Sequence, residues 1–102
     1  MALALIPKQP FEEINYAVDF SPDLAAGVTL TLVSCTAVNV ATGADSTAAV
    51  IAAAPPPAVA GQTVAFCAKD GTDGDVHKIT VKVSTSAGEK LEADLDLFIV
   101  EK

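Results

Sequence analysis

Arginine and tryptophan are absent from the 102 residues, histidine occurs once and cysteine twice. Six Lys stand against thirteen Asp and Glu, which gives a formal net charge of −7. So acidic a chain repels phosphate, and no nucleic-acid partner is expected. Two thiols and one imidazole, with no close Cys or His spacing, do not close a four-ligand zinc site without a carboxylate, and no cofactor is expected. No run approaches the roughly 18–20 apolar residues of a membrane span, so no membrane contact is expected. Residues 1–6 lack a basic flank, and their apolar run stops at Pro7 and Lys8, which does not fit a secretory signal. The chain is expected to be made in the cytoplasm and to stay soluble or enter an assembly without export, with Cys35 and Cys67 as free thiols.

What is present is apolar. Hydrophobic residues make up 51% of the chain, but nineteen of them are Ala, which adds little volume to a core. The other 33 suffice for one core in a chain that buries on the order of 65% of its unfolded surface. One domain is therefore expected over residues 11–102. Residues 1–10 stand apart because Pro7 and Pro10 separate Leu3, Leu5 and Ile6 from the first clear strand. They fit an edge strand of their own domain or an arm on a neighbour's sheet, and Leu3, Leu5 and Ile6 are the candidate interface residues.

Period-two alternation dominates the rest. Ile79, Val81 and Val83 oppose Lys78, Thr80 and Lys82, and Leu91, Ala93, Leu95 and Leu97 oppose Glu92, Asp94 and Asp96. Gly88 lies in the turn between these two strands, completing a hairpin. Residues 14–20, 28–32 and 63–66 also alternate. The second of these loses its phase at Val33 and Ser34, as a β-bulge or a kink between sheets would require. Ser21, Pro22 and Gly27 fit the cap, first position and end of a helical turn. Residues 46–54 fit either an alanine-rich helix capped by Ser46 or a strand, and the neighbouring strands favour the strand. Pro55, Pro56 and Pro57 make residues 55–61 a stiff extended connector. The fold class is all-β: an Ig-like antiparallel β-sandwich of about seven strands.

Catalytic patterns are lacking. Asp70, Asp73 and Asp75 sit in a glycine-containing loop without EF-hand spacing, which reads as a turn. His77 falls on the apolar face of its strand, as a packing residue would. Ser21, Ser34 and Ser84 lack a nucleophile elbow. Glu92, Asp94 and Asp96 form an outward stripe that cross-strand Lys78 and Lys82 partly neutralise, and Glu12 and Glu13 are a second carboxylate pair. No enzyme activity is expected.

Two stretches carry a resemblance. The first is Lys8-x-Pro10-x-Glu12-x-x-x-Tyr16-x-Val18-Asp19-Phe20-Ser21-x-x-Leu24-Ala25-x-Gly27-x-Thr29. The second is Gly71-Thr72-x-Gly74-x-x-His77-x-Ile79-Thr80-x-x-Val83-x-Thr85-x-x-Gly88. Together they resemble small virion proteins of tailed bacteriophages of the fibre-tail adaptor type, in which Trp usually stands at the place of Phe20 and Tyr at that of His77. The resemblance implies a non-enzymatic structural protein of the virion, built on an Ig-like sandwich. It would be present in several copies as a homo-oligomer and would join tail or fibre components. Other virion proteins would be its partners. A capsid decoration protein of the same fold is one alternative. A carbohydrate-binding or adhesin module of a cell surface is another, but it predicts an export signal or a longer parent chain. This chain reads as a complete small product.

Overall fold

The computed structural model describes residues 2–101, with side chains from Ile6 onward. Seven strands carry the chain: β1 Ala2–Lys8, β2 Ile14–Asp19, β3 Leu30–Asn39, β4 Ala58–Ala60, β5 Thr63–Ala68, β6 Val76–Thr85 and β7 Lys90–Ile99. They form two sheets, one ordered β1-β7-β6-β3 and the other β2-β5-β4. All pairs are antiparallel except β1 with β7, which is parallel.

The alternation explains the packing. On β6, His77, Ile79, Val81, Val83 and Thr85 are buried, and Lys78 and Lys82 between them are exposed. Their partners across the hairpin are inward too: His77 opposes Leu97, Ile79 opposes Leu95 and Val81 opposes Ala93. The facing sheet contributes Val18, Val64 and Phe66 to the same core. Each fully buried Val or Leu stabilises the fold by roughly 1.5–3 kcal/mol relative to exposure. Tyr16 and Phe66 are cross-strand partners on β2 and β5, with ring centroids 5.8 Å apart and planes tilted by 41°.

The lost phase on β3 is a bulge. Its register on β6 shifts between Leu32 and Ser34, so Val33 is the extra residue. Val33 is turned out to 61% exposure, while Leu30 before it and Ala37 after it are buried. The bulge lets one strand keep its apolar side inward through a break in sequence period.

Three elements differ from the sequence expectation. In residues 46–54, Thr47–Val50 forms one turn of α-helix (α1) rather than a strand. Thr47 Oγ1 lies 2.7 Å from Asp45 Oδ1, and the Thr47 N–H donates to the same carboxylate oxygen at 2.9 Å. That Asx turn starts the helix. Ile51 then leaves it to bridge Ala68. The turn after β2 is a 3-10 helix over Ser21–Asp23, so Ser21 sits inside it; Phe20 is the cap residue and offers no side-chain bond. Asp19 Oδ1 instead accepts the Ser21 N–H at 2.8 Å. Finally, the connector around the prolines contains β4, which pairs with β5 through Ala58, Val59 and Ala60.

Candidate interaction surface

The N-terminal strand runs beside β7, with Leu5 opposite Asp96, Ile6 opposite Leu97 and Lys8 opposite Ile99. Ile6 is half-buried and packs against the core. The backbones of Leu3 and Leu5 belong to β1, but their side chains lie outside the described residues. As the outermost strand of its sheet, β1 has β7 on one side and no strand of this chain, among the described residues, on the other.

Where β1 ends, an unexpected residue holds the chain. Lys8 is 1% exposed, although lysine is almost never fully buried without partners. Its Nζ donates to three backbone carbonyls: Gln9 at 2.8 Å, Pro10 at 3.4 Å and Asp70 at 2.6 Å. Burial pushes the Lys8 ammonium below its ordinary pKa, and the carboxylates of Asp70, Glu12 and Glu13 oppose that shift. The Lys8 carbonyl in turn accepts the Val100 N–H at 2.8 Å.

The three carbonyls around Lys8 Nζ fix two loops. Residues 9–12 form a β-turn in which the Glu12 N–H donates to the Gln9 carbonyl at 3.1 Å. Pro10 takes its second position, where its restricted φ is already correct. The Glu12 side chain closes back on the turn, since its Oε1 accepts the Gln9 N–H at 2.7 Å. At the third position Phe11 is 97% exposed, the most exposed large hydrophobic residue described. The second loop, residues 69–75, offers the Asp70 carbonyl from a left-handed backbone, φ 50° at Asp70 and 101° at Gly71. Sequence reasoning missed both Lys8 and Phe11. A lysine reads as a surface residue, and the only local signal was the turn preference of Pro10.

The acidic loop is engaged by protein groups. Asp70 lies 3.5 Å from Lys69 Nζ, Asp73 Oδ1 accepts the Glu101 N–H at 2.9 Å, and Asp75 Oδ2 faces Asn39 Nδ2 at 3.4 Å. Among the described residues no group of three or more His, Cys, Asp or Glu side chains could hold a metal ion. On the outer face of the larger sheet, Lys78 Nζ lies 3.4 Å from Asp94 and Lys82 Nζ 3.7 Å from Glu92. Thr80 Oγ1 also donates to Asp94 at 2.9 Å; Asp94 is only 7% exposed, so the expected outward stripe is interrupted at its centre by a buried, paired carboxylate. Both cysteines are free, and burial pushes the Cys35 thiol up to about 11, which keeps it protonated at neutral pH.

His77 is 4% exposed, and its Nδ1 lies 2.8 Å from Ser46 Oγ. Its Nε2 is buried with no hydrogen-bond partner among the described residues, so no carboxylate orients the ring as a Ser-His-Asp triad needs. Among the described residues, no hydrogen bond joins Ser21, Ser34 or Ser84 to its ring. Burial pulls the His77 pKa below its ordinary 6.5, against a smaller pull from Asp75. In the unfolded chain the ring therefore takes up its proton at a higher pH than in the folded one. Its contribution to stability is full above about pH 7 and is lost as the pH falls toward the folded pKa. Thermal unfolding at about pH 7.5, 6.5 and 5.5 should show this decline, and His77→Gln should flatten it. Equal slopes for the two chains would assign the decline to other groups.

Comparison with known proteins bears on these surfaces. A family model described as "Podophage GP4 fiber-tail adaptor protein gp77" matches residues 8–97. The match begins at Lys8 and takes in the 9–12 turn, the 69–75 loop and the outer face of the larger sheet. No curated protein matches the chain.

Proposed function

The chain belongs to the podophage fibre-tail adaptor family, a structural component of phage virions, and we propose that it works there in several copies as a link between tail and fibre proteins. The observation that carries this reading is the family match over residues 8–97 of the 102-residue chain. Two features of the fold support it. Among the described residues, the outer edges of β1 and of the first half of β3 carry no strand of this chain, while residues 44–47 cover the second half of β3, and an unpaired edge is a template for a strand of another chain. β3 contains neither a charged residue nor a proline that would discourage such pairing.

On this reading Leu3, Leu5 and Ile6 lie at a contact with a neighbouring virion protein. The contribution of Ile6 is its backbone edge, because its side chain packs on its own core. Deletion of residues 1–10 is a poor test of the contact, since it also removes Lys8 and the β1 ladder. Particles from a phage that lacks this gene are the better test. We expect tails with a normal complement of tail proteins and with fibre protein reduced to background in a quantitative protein analysis. A normal fibre complement would overturn the reading. Intact fibres on fragile capsids would favour capsid decoration in its place.

A further inference from the structure

We infer that Phe11, presented at the tip of the 9–12 turn, is an anchor that enters an apolar pocket rimmed by Lys or Arg on a partner protein of the virion. The inference rests on the adaptor reading and adds a specific contact to it.

Single hydrophobic side chains on a surface are common and need no explanation by themselves. Phe11 differs in how it is held. Among the described residues none covers Phe11, which is 97% exposed, whereas Val33 and Val40, on and just after β3, reach 61% and 56%. Yet the backbone beneath it is fixed from three sides. Lys8 Nζ binds the carbonyls of Gln9 and Pro10, Glu12 Oε1 binds the Gln9 N–H, and the Glu12 N–H closes the turn. The same Lys8 Nζ ties the turn to the Asp70 carbonyl across the end of the sandwich. A fully exposed aromatic ring on an ordered turn loses little conformational freedom on binding, because only its two χ angles remain to be fixed. It also brings the large contact area that makes aromatic residues dominate interface energetics.

The surroundings select the partner. Glu12, Glu13 and Asp70 share with Phe11 and Ile14 a surface depression of about 560 Å³. These three carboxylates outnumber the two ammonium groups beside them, Lys69 at 3.5 Å from Asp70 and the buried Lys8. On a chain of net charge −7 the surface repels an acidic partner and attracts a basic one. A guanidinium or ammonium group at the rim can pair with the carboxylates and lie against the ring face. A second copy of this chain fits poorly, because its thirteen acids outnumber its six Lys and its net charge of −7 repels the same surface.

The test is competitive incorporation. A phage lacking the gene is grown in cells that express equal amounts of wild-type chain and one variant, and the ratio of the two in purified particles is measured by quantitative mass spectrometry. Phe11→Ala should be outcompeted by about thirtyfold, the size of a hot-spot truncation. Its melting temperature should match that of the wild type, because the ring buries nothing in its own domain. Glu13→Lys should also fall below parity, and by less, as rim charges do. Parity for Phe11→Ala overturns the anchor, and Glu13→Lys at or above parity overturns the basic rim. Wild-type chain absent from the particles overturns the adaptor reading together with this inference, so the two failures are distinguishable.

Discussion

Lys8→Ala should lower the unfolding free energy by about 3–5 kcal/mol, enough to shift the melting temperature by roughly 12 °C or more in a domain of this size. Three terms add in the same direction. The carbonyls of Gln9, Pro10 and Asp70 lose their shared donor; Gln9 keeps the Glu12 N–H, whereas Pro10 and Asp70 lose a bond to a charged group, each worth about 1.5–3 kcal/mol. The four-carbon stem leaves a cavity at the end of the sandwich. The turn and the loop lose the group that joins them. Lys8→Met separates these terms, because it keeps most of the stem and removes only the donor. It should cost less than the alanine variant and still destabilise. Denaturant titration of the three chains checks both expectations. A loss below about 1 kcal/mol for Lys8→Ala would mean that the ammonium does not hold the two loops together.

The second large effect is expected at Gly71. Its backbone has φ 101°, which side-chain-bearing residues rarely adopt. A Cβ built there would lie 2.7 Å from both Cγ1 and Cδ1 of Ile99, which is fully buried at the end of β7. Gly71→Ala therefore combines backbone strain of about 1–3 kcal/mol with overpacking of similar size, for a loss of about 3 kcal/mol or more. Ile99→Val removes one of the two closest atoms, so it should relieve part of the loss when combined with Gly71→Ala. Gly71 and Lys8 act on the same loop, through its backbone shape and through the Asp70 carbonyl. Their effects should thus be less than additive in a double-mutant cycle. Gly88→Ala is the internal control. Its φ of 86° strains any replacement, but no atom lies within 4 Å of the added methyl, so it should lose less than Gly71→Ala.

These two residues mark the boundary of what local pattern reveals. The β6–β7 hairpin was legible because Ile79, Val81 and Val83 and Leu91, Leu95 and Leu97 alternate with charged residues at period two, and that period survives folding. The bulge was legible as a fault at Val33 and Ser34, since a bulge is the structural form of such a fault. Residues 46–54 fit helix or strand in the sequence, and the favoured strand gives way to helix at Thr47–Val50 because that helix is a single turn started by Asp45 and Thr47, too short to leave a periodic trace. The pairing of β1 with β7 joins the two ends of the chain, and no local pattern specifies a partner some 90 residues away. Lys8 was overlooked for a chemical reason. Its burial depends on three carbonyls, one of them from a loop 62 residues downstream, and no residue type encodes a carbonyl position. The candidate surface was therefore only half visible. Sequence singled out Leu3, Leu5 and Ile6 as an apolar excess near the N-terminus, whereas the fully exposed ring of Phe11 emerges only once Lys8 has shaped the turn beneath it.

The proline content of that region has a comparable lesson. Pro7 and Pro10 separate residues 1–6 from the first clear strand in the sequence, yet Pro7 lies within β1 and Pro10 serves the turn. An edge strand tolerates a proline because one side of its backbone has no ladder to complete. The segment thus belongs to the sandwich through β7, with no strand of this chain on its other side among the described residues.

The most direct test of the adaptor role is the density of the chain in the intact virion. A cryo-electron microscopy reconstruction of the particle should contain a sandwich of four and three strands where the fibres join the tail, with the Phe11 turn against a neighbouring protein. The same sandwich found only on the capsid surface, or a fibre-tail junction built entirely from other chains, would contradict that role.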